Sequence, residues 1–262
     1  SFTLTVYVNP TPKISAMSTV ICSGLQFEVS PTNGGTEIVP ANTKYAWDIP
    51  AVSTSSLTGG QSNSGQSSIY GTLTNNTNTS RTAVYTVTPT STIGTCKGAS
   101  FTVLVTVNPK AVINTMSTVI CSGSTFDLTP VNITNGIVPD LTTYTWNSPL
   151  VTNASLTGGV ANNTPQQSIY GYLYNGTNTV QTATYTVIPN SPACGNNNSF
   201  SVIITVNPVP QINAMSIVTC SGVQFVISPT NDVNGIVPIN TGYVWSTPAV
   251  SNASLTGGVS GT

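Results

Sequence analysis

The octapeptide MSTVICSG stands at residues 17–24 and returns unchanged at 116–123, and MSIVTCSG stands at 215–222. The cysteines within it keep one interval, 121 − 22 = 99 and 220 − 121 = 99. A fixed period of this size means that one supersecondary unit is used again and again, which removes any fold spanning the whole chain from consideration. Phe27, Phe126 and Phe225 obey the same interval, as do Trp47, Trp146 and Trp245, and Pro40, Pro139 and Pro238. So does the linker VNP at 8–10, 107–109 and 206–208. The repeat divides the chain into the last strand of a preceding repeat (1–8), whole repeats at 9–107 and 108–206, and the first half of a further repeat (207–262).

The register slips at two places. Ile69-Tyr70-Gly71 matches Ile169-Tyr170-Gly171 at 100 residues, and Cys96 matches Cys194 at 98. Length changes are tolerated in loops rather than in paired strands, so the slips predict loops at 60–68 and 90–100. Between them the pattern has period two. Leu25, Phe27 and Val29 alternate with polar residues, as do Ala83, Tyr85 and Val87, and Phe101, Val103, Val105 and Val107. Such alternation predicts half-buried strands. About seven strands per ~100 residues, with Asn-Gly turns at Asn135-Gly136 and Asn234-Gly235, predict an all-β chain of tandem immunoglobulin-like sandwiches. The recurring Trp and Tyr residues read as core rather than as a sugar-stacking platform. Tyr85 and Tyr185 resemble the tyrosine-corner position of such folds.

Charge rules out several functions. Charged residues are 4% of the chain, the net charge is −1, and there is no histidine. That leaves no basic footprint for nucleic acid or for an anionic membrane. No apolar run approaches the ~20 residues a membrane-spanning helix needs. Ser-His-Asp catalysis lacks its base. The acids are Glu28, Glu37, Asp48, Asp127, Asp140 and Asp232, and only Glu28 and Asp127 are equivalent between repeats. No catalytic, metal or cofactor site is expected, and the chain reads as no enzyme. The pairs Gly59-Gly60 and Gly158-Gly159 read as hairpin turns, with no Lys to make a phosphate loop. N-x-[ST] triplets at Asn75, Asn78, Asn132, Asn153, Asn162, Asn175, Asn197 and Asn252 are weak glycosylation signals in so Asn-, Ser- and Thr-rich a chain.

Five cysteines in a charge-poor β-repeat point to an oxidising setting outside the cytoplasm. They fall two to a repeat, so Cys22 with Cys96 and Cys121 with Cys194 is the favoured pairing, leaving Cys220 a partner outside these 262 residues. Two alternatives stay open. Cys22 and Cys96 could lie at opposite poles of a sandwich, in which case Cys22 would bond Cys194 of the next repeat, and the thiols could also be free.

The pattern NP-x-P, ICSG, Y-x-W, I-Y-G-x-L, A-x-YTV-x-P, C and VTVNP resembles the PKD-like and immunoglobulin-like repeats of giant Bacteroidetes surface proteins. These include the gliding-motility adhesins exported by type IX secretion. In place of the WDFGDG-like segment of PKD domains, this chain has WDIPAV, WNSPLV and WSTPAV. The resemblance implies an extracellular, cell-surface stalk. Its partners would be neighbouring repeats of one long chain, with surface glycans or substratum engaged by regions outside this sequence. The other reading is a glycan-binding module array, with a loop such as 60–68 holding sugar.

Overall fold

Strands whose apolar side chains alternate can close a core only when a second sheet covers the apolar face. The computed structural model describes residues 1–196 and 198–261 and shows how that closure is made. The first repeat runs through β1 (Met17–Cys22), β2 (Gln26–Val29), β3 (Lys44–Trp47), β4 (Ala51–Val52), β5 (Leu57–Thr58) and β6 (Asn63–Gln66). It continues with β7 (Ile69–Thr72), β8 (Thr74–Asn75), β9 (Arg81–Thr90) and β10 (Phe101–Asn108). The second runs through β11 (Val112–Ile113), β12 (Met116–Cys121), β13 (Ser124–Leu128), β14 (Gly136–Ile137), β15 (Thr143–Trp146), β16 (Leu150–Val151) and β17 (Leu156–Thr157). Then come β18 (Asn162–Gln166), β19 (Ile169–Asn175), β20 (Gln181–Ser191), β21 (Gly195–Asn196) and β22 (Phe200–Asn207), and beyond them β23 (Gln211–Ile212) and β24 (Gly235–Ile236).

Each whole repeat is a sandwich. One sheet has the order β1-β10-β9-β3-β6 with β4 on β9, and it faces the pairs β2–β7 and β5–β8. Its copy has the order β12-β22-β20-β15-β18 and faces β13-β19-β17. The interior of the first is lined by Phe27, Tyr45, Trp47, Ile69, Leu73, Tyr85 and the inward face of β10. Phe126, Tyr144, Trp146, Ile169, Leu173 and Tyr185 do the same in the second. The aromatic rings repeat their geometry. Trp47 meets Tyr70 edge-on at 5.9 Å between centroids, and Trp146 meets Tyr170 at 5.7 Å.

Several sequence expectations are corrected. The segment 60–68 holds β6, an edge strand on β3, rather than a plain loop. The one-residue slip is absorbed by a bulge: Tyr45 and Trp47 face Gln66 and Asn63, whereas Tyr144 and Trp146 face Gln166 and Asn162. An edge strand can swallow an extra residue because no further strand depends on its register. Gly59-Gly60 joins β5 to β6, which belong to opposite sheets, so it is a sheet crossing and not a hairpin. Gly136 opens β14 opposite Ile113, so Asn135-Gly136 is a strand start rather than a turn between long strands. The first six residues of each octapeptide copy form a strand of the sandwich, β1 or β12.

Residues 213–261 carry the same letters without the same packing. Phe225 and Trp245 are 57% and 56% exposed, against 5% and 3% for Phe126 and Trp146. The strands that cover Phe126 and Trp146, β19 and β20, have no counterpart among these residues. Among the described residues no helix is long and apolar enough to cross a membrane.

Tyr85 is not a corner tyrosine. It lies mid-strand opposite Val103, its ring 5.2 Å from that of Phe27, and its hydroxyl has no hydrogen-bond partner among the described residues. A corner tyrosine instead bonds backbone a few residues upstream. Gly71 explains how the hydroxyl fits: a Cβ there would stand 3.1 Å from the Phe27 ring and 3.2 Å from the Tyr85 oxygen. Burial pushes the phenols of Tyr85, Tyr144 and Tyr185 up to about 12 from 10.0. A raised phenol pKa means the unfolded chain loses protons first, so stability is intact below pH 10 and declines as pH rises from 10 through 12. Alkaline titration followed by circular dichroism should show cooperative unfolding in that window. Tyr85→Phe should be neutral or stabilising by about 1 kcal/mol in denaturant melts at pH 7, and should delay the alkaline loss of the first module.

Candidate functional site: the junction between modules

The octapeptide owes its position to one pairing. β1 lies parallel to β10, with Met17 opposite Val103 and Cys22 opposite Asn108. A parallel strand travels in the same direction as its neighbour. Cys22 therefore arrives at the pole where β10 leaves the first module. β9 runs antiparallel to β10, so the segment after it lies at the other pole, where the backbone N–H of Ser91 donates to the carbonyl of Cys96 at 2.9 Å. Eight residues of β10 separate the two levels, about 23 Å at strand rise. A disulfide tolerates about 7 Å between Cα atoms.

The structure accordingly corrects the favoured pairing of Cys22 with Cys96 and of Cys121 with Cys194. Cys22 is bonded to Cys194 of the second module, with Cα atoms 5.7 Å apart and 172 residues of separation. Cys96, Cys121 and Cys220 are free thiols. The Cys194 sulfur lies 3.8 Å from the carbonyl oxygen of Asn108, and the Cys22 sulfur 3.7 Å from that of Ala193. The bond thus crosses the VNP linker and ties the exit pole of one module to the entry pole of the next.

The rest of the CSG motif fixes that pole. Ser23 donates its N–H to the Asn108 carbonyl at 2.9 Å, and its hydroxyl accepts from the Asn75 N–H at 2.9 Å. Gly24 takes a left-handed turn at φ 79° and donates to the carbonyl of Leu73 at 2.8 Å. Asn75 is 2% exposed, and its amide donates to the carbonyls of Thr79 and Val107 at 2.8 and 2.9 Å. Its side-chain oxygen accepts from the N–H and hydroxyl of Thr77. Ser122, Gly123 and Asn175 repeat every one of these bonds in the second module. Two N-x-[ST] triplets are therefore buried fastenings rather than glycan acceptors. Asn197, in another triplet, lies outside the described residues. Sequence reasoning missed the role of Asn75 and Asn175, and the signal available was their recurrence after I-Y-G-x-L.

The segment 60–68 offers little to a sugar. Asn63, Tyr70 and Gln66 bond one another, and Trp47 beside them is 4% exposed. Tyr170 and Tyr172 of the second module are 45% and 44% exposed, the former set edge-on against Trp146. Among the described residues no three of His, Cys, Asp and Glu gather as metal ligands.

The architecture is that of tandem immunoglobulin-like sandwiches. The family model described as "PKD-like domain" matches residues 19–111 and 117–210, and the chain belongs to that family. Among solved structures, the chain is similar to human CDH23 EC21-23 (TM-score 0.34, 10% identity, 77% of this chain and 70% of that one). It is also similar to the human Desmocollin-1 ectodomain (TM-score 0.33, 10% identity, 78% and 42%). A third is the N-terminal four Ig domains of Dscam1 isoform 1.9 (TM-score 0.28, 8% identity, 76% and 46%), of which the chain spans under half the length. No curated protein matches the sequence.

Non-reducing peptide mapping should return Cys22 joined to Cys194 and no Cys22–Cys96 peptide. Asn175→Ala should destabilise the second module by about 2–4 kcal/mol, because it strands buried carbonyls and loosens the turn at 175–179. Differential scanning calorimetry of the reduced chain, where the modules are uncoupled, would show the loss in one transition only.

Proposed function

We propose that these modules are the stalk of an extracellular surface adhesin and act mechanically, with no catalytic role. The observation that carries this reading is the Cys22–Cys194 bond. Tension entering before residue 22 and leaving after residue 194 passes through the two sulfurs, so residues 23–193 stand outside the load path. Pulling cannot draw out the chain between the sulfurs, and of the two sandwiches only β1 and β22 lie in the load path. The family, the linker prolines and the sparse charge fit the stalks of giant Bacteroidetes adhesins of the gliding-motility kind, exported by type IX secretion. Attachment to glycan or substratum belongs, in this reading, to other parts of such a protein.

Single-molecule pulling of the whole chain tests it. Under reductant, two module-unfolding events should appear. In the oxidised chain the loop between the sulfurs should not be released, and the total extension should be shorter by about 60 nm for its 172 residues. Full-length unravelling of the oxidised chain would refute the stalk reading. A saturable, Tyr172-dependent hit on a glycan array would favour the binding-module reading instead.

A further inference from the structure

The junction between the two modules consists of a first cysteine, the linker asparagine beside it, and a second cysteine from the following module. Here these are Cys22, Asn108 and Cys194. Asn9 and Asn207 are the 99-residue equivalents of Asn108 (108 − 9 = 99; 207 − 108 = 99). At Asn9 the set is half present. The Cys96 sulfur stands 3.9 Å from the Asn9 carbonyl oxygen, matching the 3.8 Å from Cys194 to Asn108. At Asn207 the other half is present: Cys121 sits opposite Asn207 in parallel register, as Cys22 sits opposite Asn108. Ser122 donates to the Asn207 carbonyl at 2.8 Å, as Ser23 does to that of Asn108 at 2.9 Å.

We infer that Cys96 and Cys121 are the two halves of one intermodule latch, each built to bond a cysteine of an adjoining module of this same repeat type in tandem. Cys96 is the half that receives the early cysteine of a module placed before it. Cys121 is the half that reaches the late cysteine of a module placed after it. The bond pairs the early cysteine of one module with the late cysteine of the next, never with the late cysteine of its own. Its formation is thiol–disulfide exchange with a low-molecular-weight disulfide such as oxidised glutathione. One thiolate displaces reduced glutathione to give a mixed disulfide, and the second thiolate displaces the other. Two protein thiols and one glutathione disulfide become one protein disulfide and two glutathione thiols, the protons passing to the leaving sulfurs.

Overlapping bonds of this kind enclose every whole module. Under load only the stretches between a late cysteine and the next early one can lengthen, such as 96–121 and 194–220, which are 25 and 26 residues (121 − 96; 220 − 194) and hold β10 and β12 in the first and β22 in the second.

A fusion that restores the linker tests the inference independently of any mechanical role. Joining residues 1–206 to a second copy beginning at Asn9 rebuilds V-N-P and places Cys121 of the first copy beside Cys96 of the second. The fused chain has nine cysteines, four from 1–206 and five from 9–262. After refolding with oxidised glutathione, three thiols should remain (9 − 6 = 3), the same number as in the single chain. The monomeric fraction should yield a Cys121–Cys96 peptide beside Cys22–Cys194. Five thiols (9 − 4 = 5) with Cys22–Cys194 intact would overturn the inference, and so would Cys121–Cys96 bonds found only between separate chains. The Cys22–Cys194 peptide reports folding in the same digest. If it is missing, the shorter fusion of 1–206 to 9–108 replaces the longer one. Two thiols of its six should then remain, and four would overturn the inference.

Discussion

The parallel pairing of β1 with β10 is the constraint on which the junction depends. An antiparallel β1 would bring Cys22 to the Phe101 end, within reach of Cys96, and each module would be closed on itself. Running parallel, the same six residues carry Cys22 to the Asn108 end and leave it facing the next module. The direction of one short strand thus decides whether sulfur chemistry serves the sandwich or the connection between sandwiches. It also explains why the octapeptide continues into Ser-Gly. The serine and glycine end β1 by bonding the Asn108, Asn75 and Leu73 backbone, which holds the cysteine at the pole.

The major strands were legible because their burial has period two. Phe101, Val103, Val105 and Val107 are all buried, and so are Ala83, Tyr85 and Val87. β1 hides from the same test. Its inward positions hold Thr19 beside Met17 and Ile21, while Val20 faces outward and is 63% exposed, so apolarity does not alternate along it. β6 hides as well, since NSGQ is polar throughout and serves as an edge strand bonded on one side. The cysteine count was legible but the pairing was not. Two per repeat fits an internal bridge and a bridge to the next repeat equally well, and only the direction of β1, a contact with residues over 80 positions away, separates them.

Residues 213–261 show that the motifs alone do not make a module. They contain the Phe, Trp, Pro and CSG positions, and Trp245 still donates its indole N–H to Val259 at 3.1 Å, as Trp47 does to Gln61 at 3.0 Å. Even so, the side chains that should be core stand in solvent. Local turns form from local sequence. The core forms only when the long strands β9 and β10, or β20 and β22, supply the opposite wall. The cooperative unit is the whole sandwich, which is why the strand alternation and the junction residues must coexist in every repeat.

The latch changes that unit. A bridge within a module would restrict one sandwich and leave the VNP linker as the soft point of the chain. A bridge from Cys22 to Cys194 instead closes a loop of 172 residues that includes the buried core of the first module and all of the second except β22. Chain entropy alone makes that restriction of the unfolded state worth about 5 kcal/mol, shared by the two modules rather than held by either. Opening one sandwich then leaves its chain tethered to a folded neighbour, so its ends stay close and refolding is a local event. Spreading one covalent tie across each linker therefore protects the stiffest and the weakest parts of the chain at once, at two cysteines per repeat. The same number placed inside each module would protect only the part that packing already holds.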